Sequence, residues 1–151
     1  MDPVVALIAA VVGYLLGSIS FARLVAHAVD PAADVTRIET SLGEGVSFTS
    51  DSVSATAVRM KVGRRYGILT AVLDMGKVAL PTLVFRLAFP DQPYHLIVAA
   101  TGLIGHDWPI YHRFLGGRGE TAIYGALLVI DPAGVVVTLI LGMGLGFLLG
   151  N

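Results

Sequence analysis

The residues best suited to chemistry gather around one short run, Gly116-Gly117-Arg118-Gly119. Glycines let backbone N–H groups approach a ligand, and a helix N-terminus favours anions. A guanidinium fork matches the geometry of phosphate. Just upstream lie His106, Asp107, His112 and Arg113. One reading of the run is a phosphate site. The other is a tight turn with a cationic anchor, because a short glycine motif carries little specificity. His106-Asp107 divides in the same way. Polar residues at membrane depth face a cavity or a partner, whereas beside Trp108 and Tyr111 they would sit in an interfacial aromatic belt.

Other polar residues have simpler readings. Asp74 and Lys77 fall on one face of a helix and read as a neutralised pair stitching two helices rather than as catalysts. The Ser18 hydroxyl can bond back within its own helix, and Arg23 reads as a snorkelling anchor. The serines and threonines between 47 and 56 form either a solvated loop or a second set of oxyanion donors. No GxxxxGK[ST], HExxH or GxSxG pattern is present. No histidine is followed by aspartate with four residues between, so the sequence shows no local base for acyl transfer. Cysteine is absent, which excludes disulfides and thiolate metal sites. No metal or cofactor is expected.

The elements that must hold these residues are apolar. The sequence is 55% hydrophobic and 14% charged, with mean hydropathy +0.78, against about 25% charged in soluble domains. A small domain cannot hide that much apolar surface in one core. The expected class is an all-α, polytopic integral membrane protein forming a single domain over 1–151. Its hydrophobic helices are expected at about 4–24, 66–87, 94–111, 120–131 and 135–150. Residues 4–21 carry no charge and no basic segment precedes them, so they read as a retained span rather than a cleaved signal. The segment 120–131 is short for an upright span and reads as a helix recruiting its flanks or a re-entrant piece. Glycines 142, 144 and 146 suggest a small-residue packing face, and 53–65 suggests a short basic helix at the interface.

Basic residues set the orientation. Arg37, Arg59, Lys61, Arg64 and Arg65 follow the first span, and Arg113 and Arg118 follow the third. The positive-inside rule makes loops 27–65 and 112–119 cytoplasmic and the N-terminus external. The net charge of −1 argues against a nucleic-acid partner.

The order of these pieces resembles a known family. Gly105-His106-Asp107-Trp108-Pro109-Ile110-Tyr111, then Phe114, then Gly116-Gly117-Arg118-Gly119, is similar to the GHxFPxF…GGKG signature of the bacterial acyl-phosphate:glycerol-3-phosphate acyltransferases (PlsY type). Tyr14-Leu15-Leu16-Gly17-Ser18-Ile19-Ser20-Phe21-Ala22 resembles their YLLGSIPFA start. The helix that carries Asp74 and Lys77 looks like the one after their second motif, and Asp131-Pro132 stands where the family has a Ser-Pro turn.

The resemblance implies transfer of an acyl group from acyl phosphate to the 1-hydroxyl of glycerol 3-phosphate, giving lysophosphatidate for phospholipid synthesis. It needs no metal or coenzyme A, and it implies a bacterial inner membrane location. By the same resemblance, Arg118 with the Gly116, Gly117 and Gly119 amides would bind phosphate. His106 would orient or handle a proton. Ser50, Thr56 and Arg59 would serve a second phosphate, with Ser18 nearby. In the family's GSGNPGATNVLR loop, Ser50, Ala55, Thr56 and Val58 match. Met60 stands where the family has arginine, with Arg59 one position early on a different helix face. Asp51 and Glu120 add negative charge. The family continues into a C-terminal motif with functional His and Asn, so the expectation is a piece of a longer protein or a shorter relative. Two other functions remain open at this stage. One is a non-catalytic membrane protein that binds an anionic lipid or protein partner through the cationic loops. The other is a small transporter using Asp74, Lys77 and the helix break at Asp131.

Overall fold

The structure, a computed structural model, describes residues 1–41 and 47–150; of residues 39–41, 47, 48 and 50 only the backbone is described. Helix α1 (Pro3–Gly17) starts where the Asp2 carboxylate accepts the Val4 amide at 2.7 Å and Pro3 takes the first helical position. The Asp2 amide also donates to the Tyr94 hydroxyl at 2.5 Å. This ties the start of α1 to the start of a later helix.

The expected first span, 4–24, is two helices. α1 ends at Gly17, and α2 (Phe21–Val29) begins after a break at Ser18, Ile19 and Ser20. A helix break within an apolar region leaves backbone groups that must find partners. Here the Ser18 amide reaches Tyr14 O at 2.9 Å, and Lys77 Nζ donates to Ile19 O at 2.6 Å.

The polar stretch that follows departs from the all-helical expectation. Strands β1 (Ile38–Ser41) and β2 (Ser47–Ser50) pair antiparallel, with Ile38 opposite Ser50 and Ser41 opposite Ser47. The remaining described elements are helical: α3 (Ala55–Lys61), α4 (Arg64–Ala88), α5 (Tyr94–Asp107), a 3-10 turn (Ile110–His112), α6 (Glu120–Ile130) and α7 (Pro132–Leu149). Among the described residues, three stretches are long and apolar enough to cross a membrane: Pro3–Val29, Arg64–Ala88 and Pro132–Leu149. The protein is a multi-pass membrane protein with a helical framework.

Small residues hold the helices together. At Gly17 a side chain would strike the Gly102 backbone, and at Gly105 it would strike Tyr14 O and the Ser18 amide. The backbones of α1 and α5 therefore touch. Gly125 of α6 meets the Met75 backbone of α4 in the same way. Close backbone approach through small residues is how helices associate where lipid removes the hydrophobic driving force. The buried set is correspondingly small, with Ala9, Ala99, Ala122, Val78 and Val98 inside and Leu7, Leu80 and Leu87 outside. Glycines 142, 144 and 146 correct an expectation, because a side chain at any of them would meet nothing within 4 Å.

Candidate active site

Helix α5 has 14 residues, so it spans roughly 21 Å at 1.5 Å per residue, short of a hydrocarbon core about 30 Å thick. Pro109 stops it: the Trp108 amide closes the last turn on Ile104 O at 2.8 Å, and the chain then turns through Ile110–His112. Arg113 and Phe114 both adopt left-handed backbone, φ 54° and 63°. That conformation is uncommon for residues with side chains, and it folds the following loop back under α5.

Each piece of that loop is fastened. The Gly117 amide donates to His106 O at 3.1 Å, and Gly116 O accepts the Val53 amide at 3.0 Å. Arg23 Nη1 donates to Leu115 O at 3.0 Å, and Tyr14 Oη donates to Trp108 O at 3.0 Å. The loop is thereby joined to α1, α2, α5 and the segment leading into α3. Its glycines are needed for close approach: a side chain on Gly116 would strike His106 O and Asp107 O, and one on Gly117 would strike the His106 ring at Nε2. Gly119, at φ 72°, makes the left-handed turn into α6.

Beside the loop lies an open cleft. Arg118, His106, Thr56, Ser52 and Ser54 contribute its polar wall, and Met60, Glu120 and Thr121 complete it. Arg118 is exposed and His106 is buried. Ser54 also caps α3, its hydroxyl accepting the Ala57 amide at 3.2 Å. A second, much narrower space lies deeper, between Ser18, Asp74, Lys77, His106 and Gly117. His106 borders both spaces.

The residues expected from sequence are sorted by this geometry. Arg118, His106 and Thr56 come together in the cleft. The Ser50 side chain lies outside the described residues. Arg59 is not in the cleft wall. It is exposed and packs its Cβ against Gly67, while its neighbour Met60 faces the cleft, because adjacent positions on α3 point about 100° apart. Ser18 is fully buried, and its hydroxyl donates to Tyr14 O at 2.8 Å and accepts the Ile110 amide at 3.4 Å, so it fastens the turn to α1 rather than reaching the cleft. Of the glycine amides, that of Gly117 is spent on His106 O. Ser52 and Ser54, from the serine and threonine run between 47 and 56, line the cleft as one of its two readings expects, and Thr121 is a wall residue with no such signal.

Charge around the cleft is mixed. Arg118 and Glu120 both line it. His112, on the loop side, is held below its ordinary pKa by burial and then by the Arg23 and Lys77 charges. Asp34, exposed on the loop after α2, is held below the usual carboxylate range by the hydroxyl and amide of Thr36, at 2.6 and 2.8 Å. Among the described residues no group of histidine, aspartate and glutamate side chains is placed to hold a metal ion.

Comparison with known proteins adds to this geometry. Residues 7–150 match the family model described as glycerol-3-phosphate acyltransferase. The chain is 32% identical over 154 residues to glycerol-3-phosphate acyltransferase 3 of Dehalococcoides mccartyi (strain CBDB1), covering 92% of this chain and 66% of that protein. It is 36% identical over 131 residues to glycerol-3-phosphate acyltransferase of Geotalea daltonii, covering 83% of this chain and 59% of the relative. Among solved structures it resembles the crystal structure of PlsY (YgiH), an integral membrane glycerol 3-phosphate acyltransferase, in its glycerol 3-phosphate form. The TM-score is 0.76 at 26% identity, over 94% of this chain and 66% of that one. The lysophosphatidic acid form of the same protein matches with a TM-score of 0.74. The chain thus spans just under two thirds, or less, of the length of these relatives.

Proposed function

Because the chain belongs to the glycerol-3-phosphate acyltransferase family, we propose that it transfers an acyl group from an acyl phosphate to the 1-hydroxyl of glycerol 3-phosphate, releasing lysophosphatidate and phosphate at the cytoplasmic face of a bacterial inner membrane. The observation that carries this reading is the cleft where Arg118, Thr56 and the glycine loop meet His106. Both substrates carry phosphate, and negative charge grows on oxygen as the acyl group moves. A site lined with a guanidinium, hydroxyls and backbone donors stabilises that charge. Within it, Arg118 with the Gly116 and Gly119 amides holds a phosphate, and Thr56, Ser52 and Ser54 offer hydroxyls to the other.

The same reading orients the chain. With Arg64 and Arg65 at the start of α4 and Arg113 and Arg118 in the loop after α5, both basic loops face the cytoplasm and the N-terminus lies outside. The acyl chain then reaches the cleft from the bilayer and glycerol 3-phosphate from the cytosol.

Met60 and Glu120 in the cleft wall, with Arg59 turned away, favour a second reading: a relative that binds an anionic headgroup without turning it over. One experiment separates the two. Purified protein in bilayers is given palmitoyl phosphate and radiolabelled glycerol 3-phosphate. Labelled lysophosphatidate supports the enzyme, whereas binding of label without product supports the second reading.

A further inference from the structure

The first apolar stretch breaks at Ser18, Ile19 and Ser20, and both sides of the break reach the glycine loop. On one side the Ser18 hydroxyl accepts the Ile110 amide at 3.4 Å, which ties the end of α1 to the turn that leads into the loop. On the other side, in the first turn of α2, Arg23 Nη1 donates to Leu115 O at 3.0 Å, next to Gly116. The direction in which α2 leaves the break therefore decides where the loop is held.

A third helix reaches into the break. In an unbroken helix Ile19 O would accept a backbone amide four residues on. Here it accepts Lys77 Nζ from α4 at 2.6 Å. Asp74 Oδ1 holds the same ammonium at 2.9 Å, and the two side chains are each 3% exposed. That carboxylate oxygen also lies 3.7 Å from His106 Nδ1, beyond a hydrogen bond, so the pair sits against the end of α5. A buried ion pair is a costly way to join helices, since apolar side chains of similar size hold them as well or better. What leucine or methionine could not do is bind the freed carbonyl of a broken helix, which needs a partner wherever water is excluded. Lys77 thus contributes one defined geometry at the break rather than adhesion. No sequence spacing shows this relay, because it runs from α4 back to the break and forward again to the loop.

We propose that Lys77 is a positioning residue for the glycine loop: by holding Ile19 O it aims α2 so that Arg23 holds Leu115 O, which fixes the loop that presents Arg118 to the cleft. Its kinetic consequence rests on the acyl-transfer reading above. Lys77 touches no substrate and acts through Ile19, Arg23 and Leu115.

Two variants separate the donor from the charge. In Asp74→Asn, Lys77 loses its counter-charge but still donates to Ile19 O, as an ammonium or as a neutral amine. In Asp74→Asn/Lys77→Met a side chain of similar length remains and the donor is gone. The sequence holds no cysteine, so nitroxides on Leu24→Cys in α2 and Leu115→Cys in the loop, both exposed positions, report a single distance by pulsed EPR in bilayers. Wild type and Asp74→Asn are expected to share one narrow distribution, and Asp74→Asn/Lys77→Met to give a broader or longer one. Equal distributions with and without the Lys77 donor overturn the proposal, and a loss of thermal stability without displacement marks a helix stitch and overturns it too. Where the Asn form fails to insert, Asp74→Leu/Lys77→Met repeats the comparison with an apolar pair. In the unlabelled proteins, kcat/KM for glycerol 3-phosphate is expected to be about tenfold lower in Asp74→Asn/Lys77→Met than in Asp74→Asn, the scale of one lost hydrogen bond. Equal values beside a displaced loop overturn the positioning role. A wild type that makes no lysophosphatidate overturns the acyl-transfer reading instead, and the EPR distances then decide the proposal alone.

Discussion

The amide of Gly117 donates to the carbonyl of His106 at 3.1 Å, so the glycine loop and the end of α5 form one unit. The contact also places Gly117 under the imidazole, where a side chain would strike Nε2. The loop's glycines therefore serve two ends. They let the chain pass beneath the ring, and at Gly119 they allow the left-handed turn into α6.

The first prediction follows from that contact. Gly117→Ala displaces the His106 ring, and overpacking of this kind costs roughly 1–3 kcal/mol. The variant is expected to insert into membranes and to lose most acyl transfer, read by protease mapping of the loops together with product formation. Full activity would show that the ring tolerates displacement.

A second concerns Arg59 and Met60. Arg59 lies outside the cleft and Met60 lines it. Arg59→Ala is expected to leave the KM for glycerol 3-phosphate unchanged. Met60→Arg places a guanidinium in the wall and is expected to lower that KM severalfold, since a charge-assisted hydrogen bond contributes about 1.5–3 kcal/mol. A raised KM in Arg59→Ala would contradict the placement of α3.

The third tests the packing of α1 on α5. A side chain at Gly17 would strike the Gly102 backbone, which cannot move aside as a flexible side chain would. Gly17→Leu is expected to force these helices apart and lower thermal stability in detergent, whereas Gly144→Leu on α7, which meets nothing, is expected to leave it unchanged. Equal effects at both positions would contradict the contact.

A fourth concerns pH. Burial, Arg23 and Lys77 hold the His112 pKa below its ordinary value. The folded state thus binds fewer protons at this residue than the unfolded state. Its contribution to stability is complete above about pH 6.5 and is lost as pH falls from there toward the folded pKa. An NMR titration is expected to place the His112 midpoint below that of a model imidazole, and Arg23→Gln is expected to raise it. A midpoint unmoved by Arg23→Gln would remove the Arg23 charge as a cause.

Much of this was legible in the residues. The apolar composition announced a membrane protein, and the ordered run from Gly105 through Gly119 announced the family and the cleft wall of His106 and Arg118. The break in the first span was hidden, because Ser18, Ile19 and Ser20 sit within an apolar stretch and the partner that satisfies Ile19 O is Lys77, far along the chain. The hairpin was hidden as well, since Ile38–Ser41 and Ser47–Ser50 are short and mostly polar. Back-bonding of Ser18 within its helix is legible and holds, with its hydroxyl donating to Tyr14 O, whereas its acceptance of the Ile110 amide, which joins α1 to the turn after α5, is not. Asp74 and Lys77 were read as a helix stitch. That reading describes Lys77 and Ile19 well and misses the approach to His106, which exists only once α4 packs on α5.

The central claim is that Arg118 in this cleft holds a substrate phosphate for acyl transfer. The most direct measurement compares wild type with Arg118→Ala in bilayers, following lysophosphatidate formed from palmitoyl phosphate and glycerol 3-phosphate, with membrane insertion checked by protease mapping. The expected result is product from wild type and none from a fully inserted Arg118→Ala. Equal turnover by the two proteins would contradict it.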